Sequence, residues 1–356
     1  MKKFLLYFLM LCAMVQASAQ QMNTTVQRWV AEEPLYRGNY FLTDMALNTA
    51  EHVLLYQLPD GGWPRGIYYP AEMSALEVQN AEQKKKDLKS SLIEKTTIAE
   101  IHFMSNMYQA TTRKRYRKAA EDGLLYVLNT QLPNGAWPLL QKEGRNLMTY
   151  ADNSFVDIML TLKRITEGKA PYDYFSAEMR KRCKEAFDRG ISFILASQCT
   201  NANHELTVWC TYYDTETIQP CAGAKYEPLA LNSLVSDDLV YLLLSVKEPS
   251  LSIQKAVMGA LNWYDAHKIT GLARQNYVNK QGKRDFKYID DRHAPDMWSR
   301  YYTIDDSEPY FCEADGEQKP TIDDLSYDAR RAISWYNNDG IKLLRATAPS
   351  AHRSQP

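Results

Sequence analysis

One phrase occurs twice in this chain and limits its fold more than any other feature. Gln57-Leu58-Pro59-Asp60-Gly61-Gly62-Trp63-Pro64 returns 74 residues later as Gln131-Leu132-Pro133-Asn134-Gly135-Ala136-Trp137-Pro138. Each copy follows a helix-like apolar run: Val53, Leu54 and Leu55 before the first, Leu124, Leu125, Val127 and Leu128 before the second. Each holds an Asp-Gly or Asn-Gly turn and ends on Trp-Pro. A weaker third copy begins at Gln198 and reaches Trp209. A period this long exceeds one helix pair of a solenoid and suits a larger helical unit repeated around a ring. The expected fold class is therefore all-α, an α/α toroid, that is, an incomplete α/α barrel of helical hairpins whose long irregular loops form a groove.

The rest of the chain fits that outline. Periodicity predicts helices over 20–36, 41–57, 95–111, 113–130, 149–165, 176–198, 229–247, 250–268 and 326–345. Ile98, Ile101, Phe103, Met104 and Met107 share one face of the third of these, and Phe155, Ile158, Met159 and Leu162 one face of the fifth. Residues 200–228 and 270–325 lack a helical period, and loops of that length in a compact domain are usually functional. The run Lys84-Lys85-Lys86-Asp87-Leu88-Lys89 reads as a solvated face.

The N-terminus has the form of a secretory signal. Lys2 and Lys3 precede an apolar run from Phe4 to Val15, and Ala17-Ser18-Ala19 precedes Gln20 as a cleavage site. The run is too short to span a bilayer, and no other stretch is a candidate span. The organisation expected is a signal peptide over 1–19, one domain over 20–346 and a disordered tail over 347–356. The product is exported, to the periplasm or beyond, and is read as a monomer. Loss of Lys2 and Lys3 takes the formal charge from −1 to −3, which argues against a nucleic-acid partner. Five cysteines remain: Cys183, Cys199, Cys210, Cys221 and Cys312. Cys210 and Cys221 are candidates for a bridge, but an odd, irregular set reads better as buried thiols.

Twenty-four tyrosines and seven tryptophans crowd the irregular segments, as a sugar-binding groove requires, since rings stack on apolar sugar faces. For any single ring, core filling is the simpler reading. Asp152, in Thr149-Tyr150-Ala151-Asp152-Asn153-Ser154, either caps a helix or offers oxygen to a hard cation. Arg300, in Met297-Trp298-Ser299-Arg300-Tyr301-Tyr302, is either a surface ion pair or a carboxylate clamp.

An ordered series of segments resembles the family 10 pectate lyases over nearly the whole mature chain. Gly61-Gly62-Trp63-Pro64 is similar to that family's G-G-W-P, and Thr96-Thr97-Ile98-Ala99-Glu100-Ile101 to its A-T-T-T-E-I. Asn134 to Pro138 resembles N-G-G-W-P, and Thr149 to Asp152 resembles T-F-N-D. Thr207 to Asp214, running on to Tyr226-Glu227-Pro228, follows T-x-W-x-x-Q-H-D … A-R-x-Y-E. Trp298 to Tyr302 resembles W-A-R-F-Y.

The resemblance implies an α/α toroid and calcium-dependent β-elimination on polygalacturonate, that is, pectate degradation. A proton at C5 of a uronate is removable when Ca²⁺ and Arg neutralise the adjacent carboxylate. It further implies Ca²⁺ ligands at Asp152 and Glu94. Trp63, Trp137, Trp209, Tyr213 and Arg300 are expected to bind substrate, with Arg300 also in the catalytic set. The family's base is an arginine, and the matching position here is Ala224. Lys225 is the neighbouring cation and the candidate replacement. A second family arginine falls on Ala314, the Gln-His pair falls on Tyr212-Tyr213, and the S-G-x-E-S segment appears without its Glu at 232–236. Two alternatives stand beside the lyase: a uronate-binding member of the same fold with reduced or lost turnover, and a lyase or hydrolase acting on another acidic polysaccharide.

Overall fold

The computed structural model describes Trp29 and residues 36–347. The expected signal peptide, most of the predicted 20–36 helix and the tail beyond Thr347 lie outside the described residues. By backbone contacts the chain falls into two compact units, one of 1–131 with 157–187, the other of 132–156 with 188–356. Among the described residues no helix is long and apolar enough to cross a membrane.

Most helices form where the period places them: Asp44–Tyr56, Ile98–Thr111, Lys114–Thr130, Ser154–Thr166, Ala177–Ser197, Ser233–Leu244 and Leu251–Ala266. Their starts are chemically marked. Thr43 and Ser250 accept from the backbone N–H three residues on, and Asn232 accepts from Leu234 and Val235. The apolar faces predicted for 95–111 and 149–165 are all buried.

Three differences have physical causes. Ala75–Lys84 is a helix where no helical period is read, closed at its start by a Ser74–Glu77 capping box. The helix expected from 149 begins at Ser154, because Arg145–Thr149 is a strand and Asp152 and Asn153 are left-handed, with φ of 53° and 55°. The closing helix is split into Tyr327–Ala332 and Gly340–Thr347. Between them the Trp335 indole donates back to the Ala329 carbonyl at 2.9 Å, and Tyr336–Asn337 pairs with Trp298–Ser299.

The repeated phrase is one structure built twice. Leu58 N–H bonds to Gly62 O at 2.9 Å, and Gly61 N–H to Leu58 O at 2.9 Å. The Asp60 carboxylate accepts from Gly62 N at 3.1 Å. The second copy has Leu132 to Ala136 at 2.8 Å, Gly135 to Leu132 at 2.9 Å, and Asn134 Oδ1 accepting from Ala136 N at 3.1 Å. The leading glutamine directly follows a helix in all three copies and reaches a carbonyl of another: Gln57 to Ala119, Gln131 to Ala186 and Gln198 to Ala256, each at 2.9 Å. The tryptophans complete the unit. Trp63 and Trp209 are fully buried and donate Nε1–H to Val53 O at 2.7 Å and Ile194 O at 2.8 Å. A buried indole removes roughly 150–250 Å² from water, and its N–H must find an acceptor; an unspent carbonyl near a helix end supplies one.

Short antiparallel strands lie in the second unit, both inside the segments read as irregular and beside them, and Leu231–Asn232 takes the place of the start of the helix predicted from 229. Leu140–Lys142, Arg145–Thr149, Tyr212–Asp214 and Pro220–Cys221 form one four-stranded sheet in that order. Leu231–Asn232 pairs with Tyr301–Tyr302, and Leu272–Val278 with Arg284–Asp290.

Within the second unit, Asp237 on Ser233–Leu244 is buried and one carboxylate oxygen has no hydrogen-bond partner. Burial first, then the charges of Asp238 and Asp339, push its pKa up to about 7 against the opposing pull of Lys342. A carboxyl raised in the folded state favours folding below its ordinary pKa and loses that contribution as pH climbs to about 7. Asp237→Asn is expected to stabilise the protein above neutral pH by on the order of 2 kcal/mol and to flatten the melting temperature between about pH 4 and 7. Parallel melting curves for wild type and variant across that range would refute this.

Candidate functional site

In the second unit the paired strands bring Thr149 opposite Tyr212, and Tyr212 opposite Cys221. The chain then turns back on itself. Gly223 N–H bonds to Glu227 O at 2.9 Å and Glu227 N–H to Ala224 O at 3.2 Å, with Tyr226 left-handed at φ 62°. The Glu227 carboxylate closes the turn: Oε2 accepts from Ala224 N at 3.1 Å and from the Tyr212 hydroxyl at 2.6 Å. The Lys142 ammonium holds the same turn from its other side, donating to Ala222 O at 3.1 Å and Gly223 O at 2.5 Å. Ala224 is thus an exposed methyl on a backbone fixed at several points.

Arg300 reaches this group through Tyr301. Its backbone is pinned by Arg300 N–H to Trp335 O at 2.6 Å and Ser233 N–H to Arg300 O at 3.0 Å. Its guanidinium carbon lies 5.5 Å from the Tyr301 ring centre. Burial pushes the Tyr301 pKa up to about 12, with Arg300 pulling it down and Glu227 pushing it up. Burial, followed by Glu227, also raises Tyr212. Tyr212, Glu227, Tyr301 and Arg300 are therefore one electrostatic set. Arg300 as a whole is half-buried, yet its Nε is buried without a hydrogen-bond partner, as is the neighbouring Ser299 hydroxyl. Such groups cost about 1–3 kcal/mol each when unpaired. A carboxylate is the ligand that best relieves a guanidinium.

The remaining expected residues fall elsewhere. Trp63, Trp137, Trp209 and Tyr213 are fully buried. A ring stacks on a sugar only with an exposed face, so these four are corrected from substrate contacts to core. Tyr213 points its hydroxyl at Cys210 N, 2.7 Å away. Lys225 is exposed, whereas an amine becomes a base through desolvation or a neighbouring cation. Asp152 is exposed on left-handed backbone. Glu94, in the first unit, gives both carboxylate oxygens to Arg65, Oε2 at 2.9 Å from Nε and Oε1 to Nη2. It sits in a strained run with Lys95 and Thr97, at φ 52°, 61° and 68°. The Thr97 hydroxyl anchors that run by accepting from Trp63 N at 3.0 Å.

Among the described residues no group of three or more His, Cys, Asp or Glu side chains is arranged to hold a metal ion. Glu94 is paired with Arg65, so a calcium ion on that carboxylate would have to displace the guanidinium. Glu313, beside Ala314, instead caps the next helix through Ser326 N at 2.6 Å. The sequence marks Tyr212 only as a departure from the family's Gln-His pair, and assigns Glu227 no role. Their signal was Glu227's place at the end of the matching segment, three residues beyond Ala224.

The model for the pectic acid lyase family matches residues 57–344. No curated protein matches the chain. Among solved structures, the family 10 polysaccharide lyase from Cellvibrio cellulosa is similar at a TM-score of 0.71 and 22% identity, covering 90% of this chain and 94% of that one. A mutant of the same enzyme in complex with trigalacturonic acid gives the same score and identity, covering 91% and 97%. The helical toroid expected from the repeat is the fold these structures share with this chain.

Proposed function

The chain belongs to the pectic acid lyase family, and from that premise we propose that it binds polygalacturonate-type polysaccharide in the second unit and cleaves it slowly by β-elimination. The observation that carries the reading is Arg300: a pinned, half-buried guanidinium with an unspent buried N–H, set beside the Tyr301–Glu227–Tyr212 group. It clamps a uronate carboxylate and so stabilises the charge that develops when C5 loses its proton. The electron pair left behind forms the C4–C5 double bond, and the C4–oxygen bond to the next sugar breaks.

The weak part is the base. Ala224 cannot accept a proton, and exposed Lys225 takes that role only where bound polymer covers it and strips its water. General-base loss typically costs about 10²–10⁴-fold, hence the slow turnover. Uronate carboxylates can themselves carry calcium, so activity is to be assayed with calcium and with chelator. The mature protein is read as exported, to where such polymers occur. A second reading, binding without turnover, is favoured by the methyl group at Ala224.

The test of the clamp is calorimetric titration with trigalacturonate. Arg300→Ala is expected to weaken binding by at least about thirtyfold, since truncating one partner of a buried charge pair costs 2–5 kcal/mol. Equal affinity in wild type and variant would remove Arg300 from the site.

A further inference from the structure

All five described cysteines are thiols in this structure, but two of them touch. Cys199 Sγ and Cys210 Sγ are 3.6 Å apart and both are buried, Cys199 8% and Cys210 1% exposed. The approach follows from the backbone. Cys199 N–H bonds to Val208 O at 3.2 Å and Thr207 N–H to Cys199 O at 2.9 Å, and Thr200 bridges Leu206. This narrow antiparallel loop returns Cys210 to Cys199. From the far side, the Tyr213 hydroxyl accepts from Cys210 N at 2.7 Å and lies 3.7 Å from Cys199 Sγ.

We propose that Cys199 and Cys210 are a disulfide site, and that the bond closes the loop from 199 to 210 beneath the strand that carries Tyr212. This differs from the Cys210–Cys221 bridge that sequence spacing allows: Cys221 lies on the sheet, opposite Tyr212. The chemistry is a two-step exchange with a low-molecular-weight disulfide as oxidant. The Cys199 thiolate attacks one sulfur of the oxidant and releases one thiolate, leaving a mixed disulfide on Cys199. Cys210 gives up its proton and attacks the Cys199 sulfur, and the second oxidant thiolate leaves. Two protein thiols are oxidised and one small disulfide is reduced to two thiols. The roles follow from the surroundings. Hydrogen bonding from Cys210 and Tyr213 holds the Cys199 pKa below the ordinary thiol value, and Cys199 is the more accessible of the two. The same contact, with burial, pushes Cys210 up. Closing the loop would fix Trp209, whose backbone N–H donates to the Ser236 hydroxyl at 2.9 Å, and with it the strand Tyr212–Asp214.

The test refolds the full chain from its reduced, denatured form in a mixture of reduced and oxidised glutathione, blocks remaining thiols, and digests with a glutamyl endopeptidase. Cleavage at Glu185, Glu205 and Glu216 puts Cys199, Cys210 and Cys221 on three different peptides. The expected result is a mass lower by about 2 Da before the remaining thiols are blocked, and the 186–205 and 206–216 peptides joined until reductant is added. Cys221→Ser should give the same link, and the oxidised protein should melt above its reduced form. Three unlinked peptides, or a link to the peptide that begins at Thr217, would overturn the proposal.

Discussion

Ala224→Arg is expected to raise the rate of unsaturated-product formation on polygalacturonate by about 10²–10⁴-fold, the usual worth of a general base. The backbone at 224 is already held by Ala224 N to Glu227 Oε2 at 3.1 Å and by the Glu227–Ala224 return bond at 3.2 Å. The methyl is exposed, so a longer side chain meets no core. The gain should fall in kcat with KM little moved, because the new group acts on the C5 proton rather than on the bound carboxylate. Ala224→Met controls for bulk and should give no gain. If Ala224→Arg is as slow as wild type, even when joined to Ala314→Arg, the groove has diverged beyond these two positions and the lyase reading loses its structural basis.

Gly135→Ala is expected to destabilise the second unit by about 2–5 kcal/mol, combining left-handed strain of roughly 1–2 kcal/mol with overpacking of roughly 1–3 kcal/mol. Gly135 has φ +93°, and a Cβ there would lie 2.0 Å from the Arg189 carbonyl oxygen. That oxygen belongs to the backbone of a long helix and cannot swing away. The first copy repeats the arrangement, with Gly61 at φ +94° and a Cβ 2.3 Å from Asp122 O. Denaturant unfolding measures the effect, with Gly144→Ala as control: its φ is +77° but nothing lies within 4 Å, so strain alone acts. A Gly135 variant no less stable than the Gly144 variant would show that the turn does not rest on the helix as described.

The repeat was the most legible part of this chain because turn chemistry is local. An Asp-Gly or Asn-Gly pair after a helix and before a buried Trp leaves few conformations, and both copies adopt the same one. The same phrase misled about function. Trp63, Trp137 and Trp209 sit in loops, where a ring suggests a ligand, yet buried carbonyls such as Val53 O and Ile194 O explain two of them, and no sequence pattern announces an indole-to-carbonyl bond ten or fifteen residues back. Strands of two or three residues, such as Leu231–Asn232 with Tyr301–Tyr302, are too short for a period of two to register. The site depends on those pairings. Arg300 and Glu227 are far apart in the chain and share an environment only because Asn232 pairs with Tyr301 and Thr149 with Tyr212. Glu94 illustrates another limit: matching an acidic position gives the residue type, while the bidentate grip of Arg65 on it is a contact that spacing does not encode.

The most direct measurement is the ultraviolet absorbance of unsaturated uronide released from polygalacturonate by the wild-type protein, followed from about pH 6 to 10 with calcium and with chelator, a span chosen because an amine base gains with rising pH. The account predicts a slow signal that grows toward alkaline pH. No signal at any pH, from a preparation that still binds trigalacturonate, would contradict cleavage and leave a protein that holds the polymer without breaking it.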